Sequence, residues 1–257
     1  MFNWLYNCIE KKFNEERINR WICAGAVEGL KNYFNRYGRY PEYVVDIGAH
    51  HGALSKDALE HGAIKVIAIE ASKDNYKKLI KNLSKLENEA NTICINNAFF
   101  ENPYSRVSLI SNKRGNSGQK SLLYMINGNK NDYIIERCLT IDRADLVNMT
   151  TGHMIDYLKI DIEGNEFCAL PFDDATRKLF AKTRFLDIEL HSLDNPNFFD
   201  KQAFLDLHPD YDPDKDMIVQ FVEFLGTCGF HMPEQDISGK GAVKLLTANK
   251  NFERIVK

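Results

Sequence analysis

The chain has 257 residues, 44% apolar and 27% charged, a composition that supports one large α/β domain with its own core and excludes a disordered polymer. A formal net charge of −3 supplies no whole-molecule field for phosphates, so nucleic acid is not an expected partner. The N-terminus meets Glu10, Glu15 and Glu16 without the basic segment and apolar run of a signal peptide, no stretch reaches transmembrane length, and the six cysteines lack zinc-ligand spacing; a reduced, cytoplasmic protein is expected.

Residues 1–40 read as an N-terminal helical extension, because Trp4, Leu5, Cys8, Ile9, Trp21, Ile22, Leu30, Tyr33 and Phe34 recur at helical spacing. Packing on the core as a lid or homodimer surface is the expected role. Seven Lys and Arg against four Glu in this segment leave a peripheral membrane contact open beside it.

Residues 41–257 read as the main domain. A strand at Tyr43–Asp46 enters the glycine turn Ile47–Gly52, and a helix follows through Leu59. Val66–Ile69 is a second strand ending at Glu70, with a Lys-rich helix over 75–86 behind it. Thr92–Asn96 is a third strand, and the stretch from Arg106 to Tyr124 is an irregular or hairpin excursion. Strands at Tyr157–Asp161 and Thr183–Leu190 flank a helix-like stretch. A helix over Met217–Cys228 precedes a closing pair, Phe230-His231 and Ala242–Thr247. This alternation predicts a doubly wound, mostly parallel sheet of seven strands.

In such a sheet ligands bind outside the carboxyl ends of the strands, at the switch point beside the first one. Gly48 and Gly52 allow the chain to turn sharply and approach a ligand closely, but the pattern is not the Gly-x-Gly-x-x-Gly of dinucleotide enzymes. Asp46 would repel a pyrophosphate and suits the ammonium of a methionine-like ligand, while Glu70 is placed for ribose hydroxyls. Together the two acids point to S-adenosyl-L-methionine.

The most distinctive stretch is Leu158-Lys159-Ile160-Asp161-Ile162-Glu163-Gly164-Asn165-Glu166, with three carboxylates in six residues at the end of a central strand. Here the sequence resembles the FkbM family of methyltransferases, through Val45 to Gly52, Ile69-Glu70, Asn97-Ala98, Leu139-Thr140-Ile141-Asp142 and Lys159 to Glu166, over roughly residues 43–247. The resemblance implies a Rossmann-like class I methyltransferase fold and O-methylation, commonly of sugar hydroxyls in polysaccharides, glycolipids or natural products. It implies that Asp46, Gly48, Ala49 and Gly52 line the methionine end of the cofactor, Glu70 and Ala71 the ribose, Asn97 and Ala98 the adenine, and that Asp161 faces the reacting centre beside Lys159. The departures are His50-His51, the insertion after Arg106 and the N-terminal helices.

Methyl transfer to oxygen requires a held acceptor and removal of its proton. His191, just past the strand ending at Leu190, is the candidate base, with a structural histidine as the equal alternative. Asp161, Glu189 and His191, with Glu163 beside them, could instead hold Mg²⁺, which ranks below a metal-free mechanism. Glu166 reads as a first-turn acid opposing a helix dipole. Acceptor specificity is expected in loops 101–130 and 192–216, where Tyr104, Tyr124, Phe198, Phe199 and Tyr211 could stack on a small-molecule or glycan acceptor or simply pack the loops. The competing readings are an NAD-dependent oxidoreductase, which lacks its pyrophosphate fingerprint; a nucleic acid methyltransferase, which lacks an Asn/Asp-Pro-Pro-Tyr element; and a noncatalytic binding module.

Overall fold

The computed structural model describes residues 28–86, 91–112, 120–121, 132–192, 204–206, 208–233 and 242–255. Helix α1 covers 28–37; the other N-terminal helices expected from the sequence lie outside the described residues. Then follow β1 (Tyr43–Ile47), α2 (Ala53–Glu60), β2 (Lys65–Ile69), α3 (Lys73–Leu83), β3 (Thr92–Ile95), β4 (Ala98–Phe99), β5 (Arg106–Asn112), β6 (Lys120–Ser121) and β7 (Tyr133–Ile141). The chain continues through α4 (Arg143–Met149), β8 (Ile155–Ile160), α5 (Glu166–Ala169), α6 (Asp174–Ala181), β9 (Thr183–His191), α7 (Met217–Thr227) and β10 (Ala242–Ala248).

The main sheet has the order β10-β9-β8-β1-β2-β3, parallel except for β10, which runs antiparallel to β9. The chain winds outward from β1 through β2 to β3, then returns to the other side of β1 as β8, so the switch point lies between β1 and β8. Six strands replace the expected seven among the described residues. Phe230 makes a single bridge to Asn249 instead of a strand, and its fully buried ring packs edge-on against Phe180 at 5.6 Å. A second sheet, β4-β7-β5-β6, holds the excursion: β5 pairs along its whole length with β7, a strand the sequence reading passed over.

Both faces of the main sheet are covered, which is why its strands are near-continuous apolar runs. Val45, Ile47, Ile67, Ile69, Leu158, Ile160, Leu186 and Ile188 share a core with Phe167, Leu179, Phe180 and Phe221 from α5, α6 and α7. Val44, Val66, Tyr157 and Phe185 face Leu30 and Tyr33 of α1, Leu54 and Leu59 of α2 and Leu79 of α3. Leu30 and Tyr33 are fully buried, at roughly 1.5–3 kcal/mol each by area removed from water, and dock α1 onto the sheet. Gly29 is required there, because a Cβ would stand 1.9 Å from the Tyr157 hydroxyl.

Ser72 caps α3 through Asn75 N, and Asp142 with Asp145 forms a reciprocal capping box on α4. None of the described helices is long and apolar enough to cross a membrane. Strand register sets one polar row across the second face, since Asp46 pairs with Lys159 and Lys159 with Asp187. This row leads to the carboxyl ends of β1 and β8.

Candidate active site

The turn after β1 contains three residues of positive φ in five: Gly48 at 75°, His50 at 52° and Gly52 at 82°. Gly48 N and Ala49 N both donate to Ile69 O at 2.9 Å, pulling the turn over the end of β2. A Cβ on Gly48 would lie 1.8 Å from the Asp161 carbonyl oxygen, so the close approach of the β1 and β8 turns demands glycine. His50 is strained in the left-handed region, and its N–H is held by Glu70 Oε2 at 2.8 Å.

Glu70 is 7% exposed, and its carboxylate is committed to its own chain. Oε1 accepts from Ser72 N at 2.9 Å and from Asn75 Nδ2 at 3.4 Å. Burial pushes its pKa up, and these donors, with the His50 N–H, pull it back. The expected ribose ligand therefore also fastens the turn. Ala71 is half-buried, Ala98 is buried and Asn97 donates to Thr140 O at 3.4 Å. Asn96 was not anticipated: its Nδ2 bonds Glu70 O at 2.8 Å and Ala71 O at 3.1 Å, tying the ends of β2 and β3. An Asn ending a strand was the available signal.

Asp46 is 1% exposed. Its Oδ2 accepts from Ser55 Oγ of α2 at 2.7 Å, and Oδ1 has no hydrogen-bond partner. Lys159 stands below the two turns: Nζ donates to Gly48 O at 2.8 Å and pairs with Asp161 at 3.5 Å and Asp46 at 3.9 Å. Burial disfavours its charge, but Asp161 and Asp46 outweigh that and its pKa is raised; burial also raises Asp46 against the pull of Lys159 and Ser55.

The turn after β8 gathers the acids. Glu163 at φ 56° and Gly164 at φ 94° reverse the chain so that Glu166, wholly buried, points back beneath them. Glu166 Oε1 accepts from Ile162 N at 3.0 Å, Gly164 N at 3.3 Å and the Nδ1 of His191 at 3.2 Å, while Oε2 is buried without a hydrogen-bond partner. His191 Nε2 lies 3.7 Å from Glu189 and 3.9 Å from Glu163.

The acid cluster changes the expected chemistry. Burial works to lower the His191 pKa, but the Glu166 hydrogen bond and the surrounding carboxylates push it up to about 10, which favours the structural alternative over a base poised near neutral pH. Glu163 is pushed up to about 8 by burial and then by Asp161, and burial followed by Asp161 also raises Glu189. Glu166 is more than a first-turn acid, because it anchors both the turn and His191. Among the described residues, the three metal-capable groups that converge, with ligand atoms all within 4.8 Å, are Asp161, Glu166 and His191; Glu166 takes the place expected for Glu189.

The aromatic residues of the loops expected to set acceptor specificity divide. Tyr104 is 75% exposed, with its hydroxyl on Asp145 Oδ1 at 2.5 Å. Tyr211 is 3% exposed and packs on Phe172 at 4.2 Å, which makes it a core residue and removes it as a stacking platform. Tyr124, Phe198 and Phe199 lie outside the described residues.

A family model described as the methyltransferase FkbM domain matches residues 46–232. Among solved structures, methyltransferase FkbM from Methylobacillus flagellatus KT is similar at 21% identity over 66% of this chain, with a TM-score of 0.37. The match spans 38% of that longer chain. Magnesium protoporphyrin IX methyltransferase from Synechocystis PCC 6803, solved with bound SAM, is 12% identical over 92% of this chain and 79% of its own, with a TM-score of 0.41. No curated protein matches the chain.

Proposed function

This chain belongs to the methyltransferase FkbM family, and we propose that it transfers a methyl group from S-adenosylmethionine to a hydroxyl oxygen of a small molecule, a sugar being the favoured class. The observation that carries the reading is Asp46 Oδ1, a buried carboxylate oxygen beside the glycine turn that has no hydrogen-bond donor, the Lys159 ammonium standing 3.9 Å away. A buried carboxyl oxygen without a donor is costly, and the ammonium of the cofactor's methionine end would supply one.

Bound there, the cofactor would supply an electrophilic methyl carbon on a sulfonium, whose bonding pair would leave with sulfur as the acceptor oxygen bonds to the carbon and gives its proton to the protein. Gly48 and Ala49 would hold the methionine end, Glu70 and Ala71 the ribose, and Asn97 and Ala98 the adenine. Lys159 holds the glycine turn and Asp161 in register through Nζ. The proton is assigned to the carboxylates at the β8 turn, Asp161 first, because His191 is already protonated. In this reading residues 41–257 form the catalytic domain and 1–40 a helical extension.

One observation favours a second reading, a noncatalytic module: Glu70 spends both carboxylate oxygens on its own chain. Calorimetric titration with S-adenosylhomocysteine separates the two. Catalytic use predicts saturable one-to-one binding, undisturbed by NAD and weakened at least about tenfold, ~1.4 kcal/mol, by Asp46→Asn. Absence of binding to the wild-type chain would sink the methyltransferase reading.

A further inference from the structure

Three features of the β8–β9 end are unexplained by cofactor binding. The first is convergence: Asp161 from the end of β8, Glu166 from the start of α5 and His191 from the end of β9 bring ligand atoms within 4.8 Å of one another. The second is the orphaned oxygen of Glu166, whose side chain is wholly buried while Oε2 meets no donor. A helix-capping acid would need neither that burial nor the histidine at Oε1. The third is crowding: four acids, Asp161, Glu163, Glu166 and Glu189, share this end with two basic groups, Lys159 and His191. Acids outnumber bases there, an imbalance that a bound cation relieves.

The spacing suits a small ion. His191 Nδ1 and Glu166 Oε1 are 3.2 Å apart, and neighbouring ligands on an ion with bonds of about 2.1 Å stand about 3.0 Å apart at a right angle. An ion bonded to both atoms would sit to one side of the line between them and replace their hydrogen bond, with Asp161 in reach from the carboxyl end of β8. The backbone N–H groups of Ile162 and Gly164 hold Glu166 Oε1 in place, as outer partners orient metal-bound carboxylates.

We propose that Asp161, Glu166 and His191 form a binding site for one divalent cation, of the class that accepts both carboxylate oxygen and imidazole nitrogen, with Mn²⁺ as its representative. Binding displaces the proton between His191 and Glu166 into solvent. Resting on the methyl-transfer reading, the ion's use is to coordinate the acceptor hydroxyl oxygen and make its proton easier to remove.

The test is titration of EDTA-treated protein with MnCl₂ alone, followed by electron paramagnetic resonance of the free ion. One Mn²⁺ per chain, bound with a Kd below about 100 μM and weakened at least about tenfold by His191→Gln and by Glu166→Gln, is the expected result. Glu166→Gln disturbs a buried anchor, so circular dichroism accompanies it; if it misfolds, His191→Gln and Asp161→Asn decide. No saturable binding, or binding that all folded variants retain unchanged, overturns the site. S-adenosylhomocysteine is titrated into the same samples: nucleoside binding without Mn²⁺ binding removes only the cation site, and Mn²⁺ binding without nucleoside binding removes only the methyl-transfer reading.

Discussion

The turns after β1 and β8 are neighbours on adjacent parallel strands, yet they use carboxylates in opposite ways. Around the β1 turn Asp46, within β1, and Glu70, just past β2, are buried, and N–H or O–H groups of their own chain meet three of their four oxygens. In the β8 turn Asp161, Glu163, Glu166 and Glu189 crowd one another around His191, and three of these acids stay partly open to solvent. The first arrangement fixes a backbone shape at the cost of mobility; the second stores negative charge against a cation or a proton. In the proposed function a binding cradle and a reacting centre need these two different things, and the two turns lie one strand apart.

The comparison rests on the two turns being mechanically joined, and the sharpest way to break it is Gly48→Ala. The added Cβ would lie 1.8 Å from the Asp161 carbonyl, on backbone that cannot swing aside, at φ 75°. The turns should separate together, with a stability loss of about 3 kcal/mol or more in thermal unfolding and S-adenosylhomocysteine affinity down roughly a hundredfold. A variant that melts like wild type would show that the turns tolerate independent movement.

Lys159→Met is the next largest effect, because one ammonium serves both turns through Gly48 O, Asp46 and Asp161. Removing it strands Asp46 as a buried charge; breaking a fully buried pair costs about 3–5 kcal/mol, and partial exposure of Lys159 brings the expectation to ~2–3 kcal/mol. Methyl transfer should fall more than cofactor affinity, since Asp161 loses its only positively charged neighbour on β8. Equal losses in the two would place Lys159 with the first turn alone.

How much of this was legible in the sequence follows the same division. Strand–turn–helix alternation located β1, β2, β8 and β9 within a residue or two, because strands buried on both faces must be apolar runs and their turns need glycine at Gly48 and Gly52. Asp46, Lys159, Asp161 and His191 were legible as a group because they end adjacent strands. Glu166 was not, since a first-turn acid looks the same whether it faces solvent or, as here, is folded under its own turn by the positive φ of Glu163 and Gly164. β7 was missed because Ile134, Ile135 and Leu139 are about half exposed, leaving no clean alternation, and only its ladder to β5 defines it. The expected seventh strand was over-read from Phe230, whose ring serves the core while its backbone makes one bridge.

The smallest expected effect tests whether the first turn is as dry as its hydrogen bonds indicate. Burial, then the stacked ring of His51 at 3.7 Å and the charges of Lys159 and Lys78, lower the His50 pKa to about 3, with Asp161 opposing. In the unfolded chain the ring protonates near its ordinary 6.5, so between that value and about 3 the unfolded state binds the extra proton and stability rises with pH. The contribution is therefore complete above about pH 6.5 and lost as the pH falls through the window, reaching roughly 2 kcal/mol at pH 5 as an upper bound. His50→Asn keeps a residue that tolerates the left-handed backbone and the N–H to Glu70, but has no titrating ring. The wild-type melting temperature should drop between pH 7 and pH 5 by several degrees more than that of the variant. Identical drops would mean that water reaches the His50 ring, and that the β1 turn, like the β8 turn, is open to solvent.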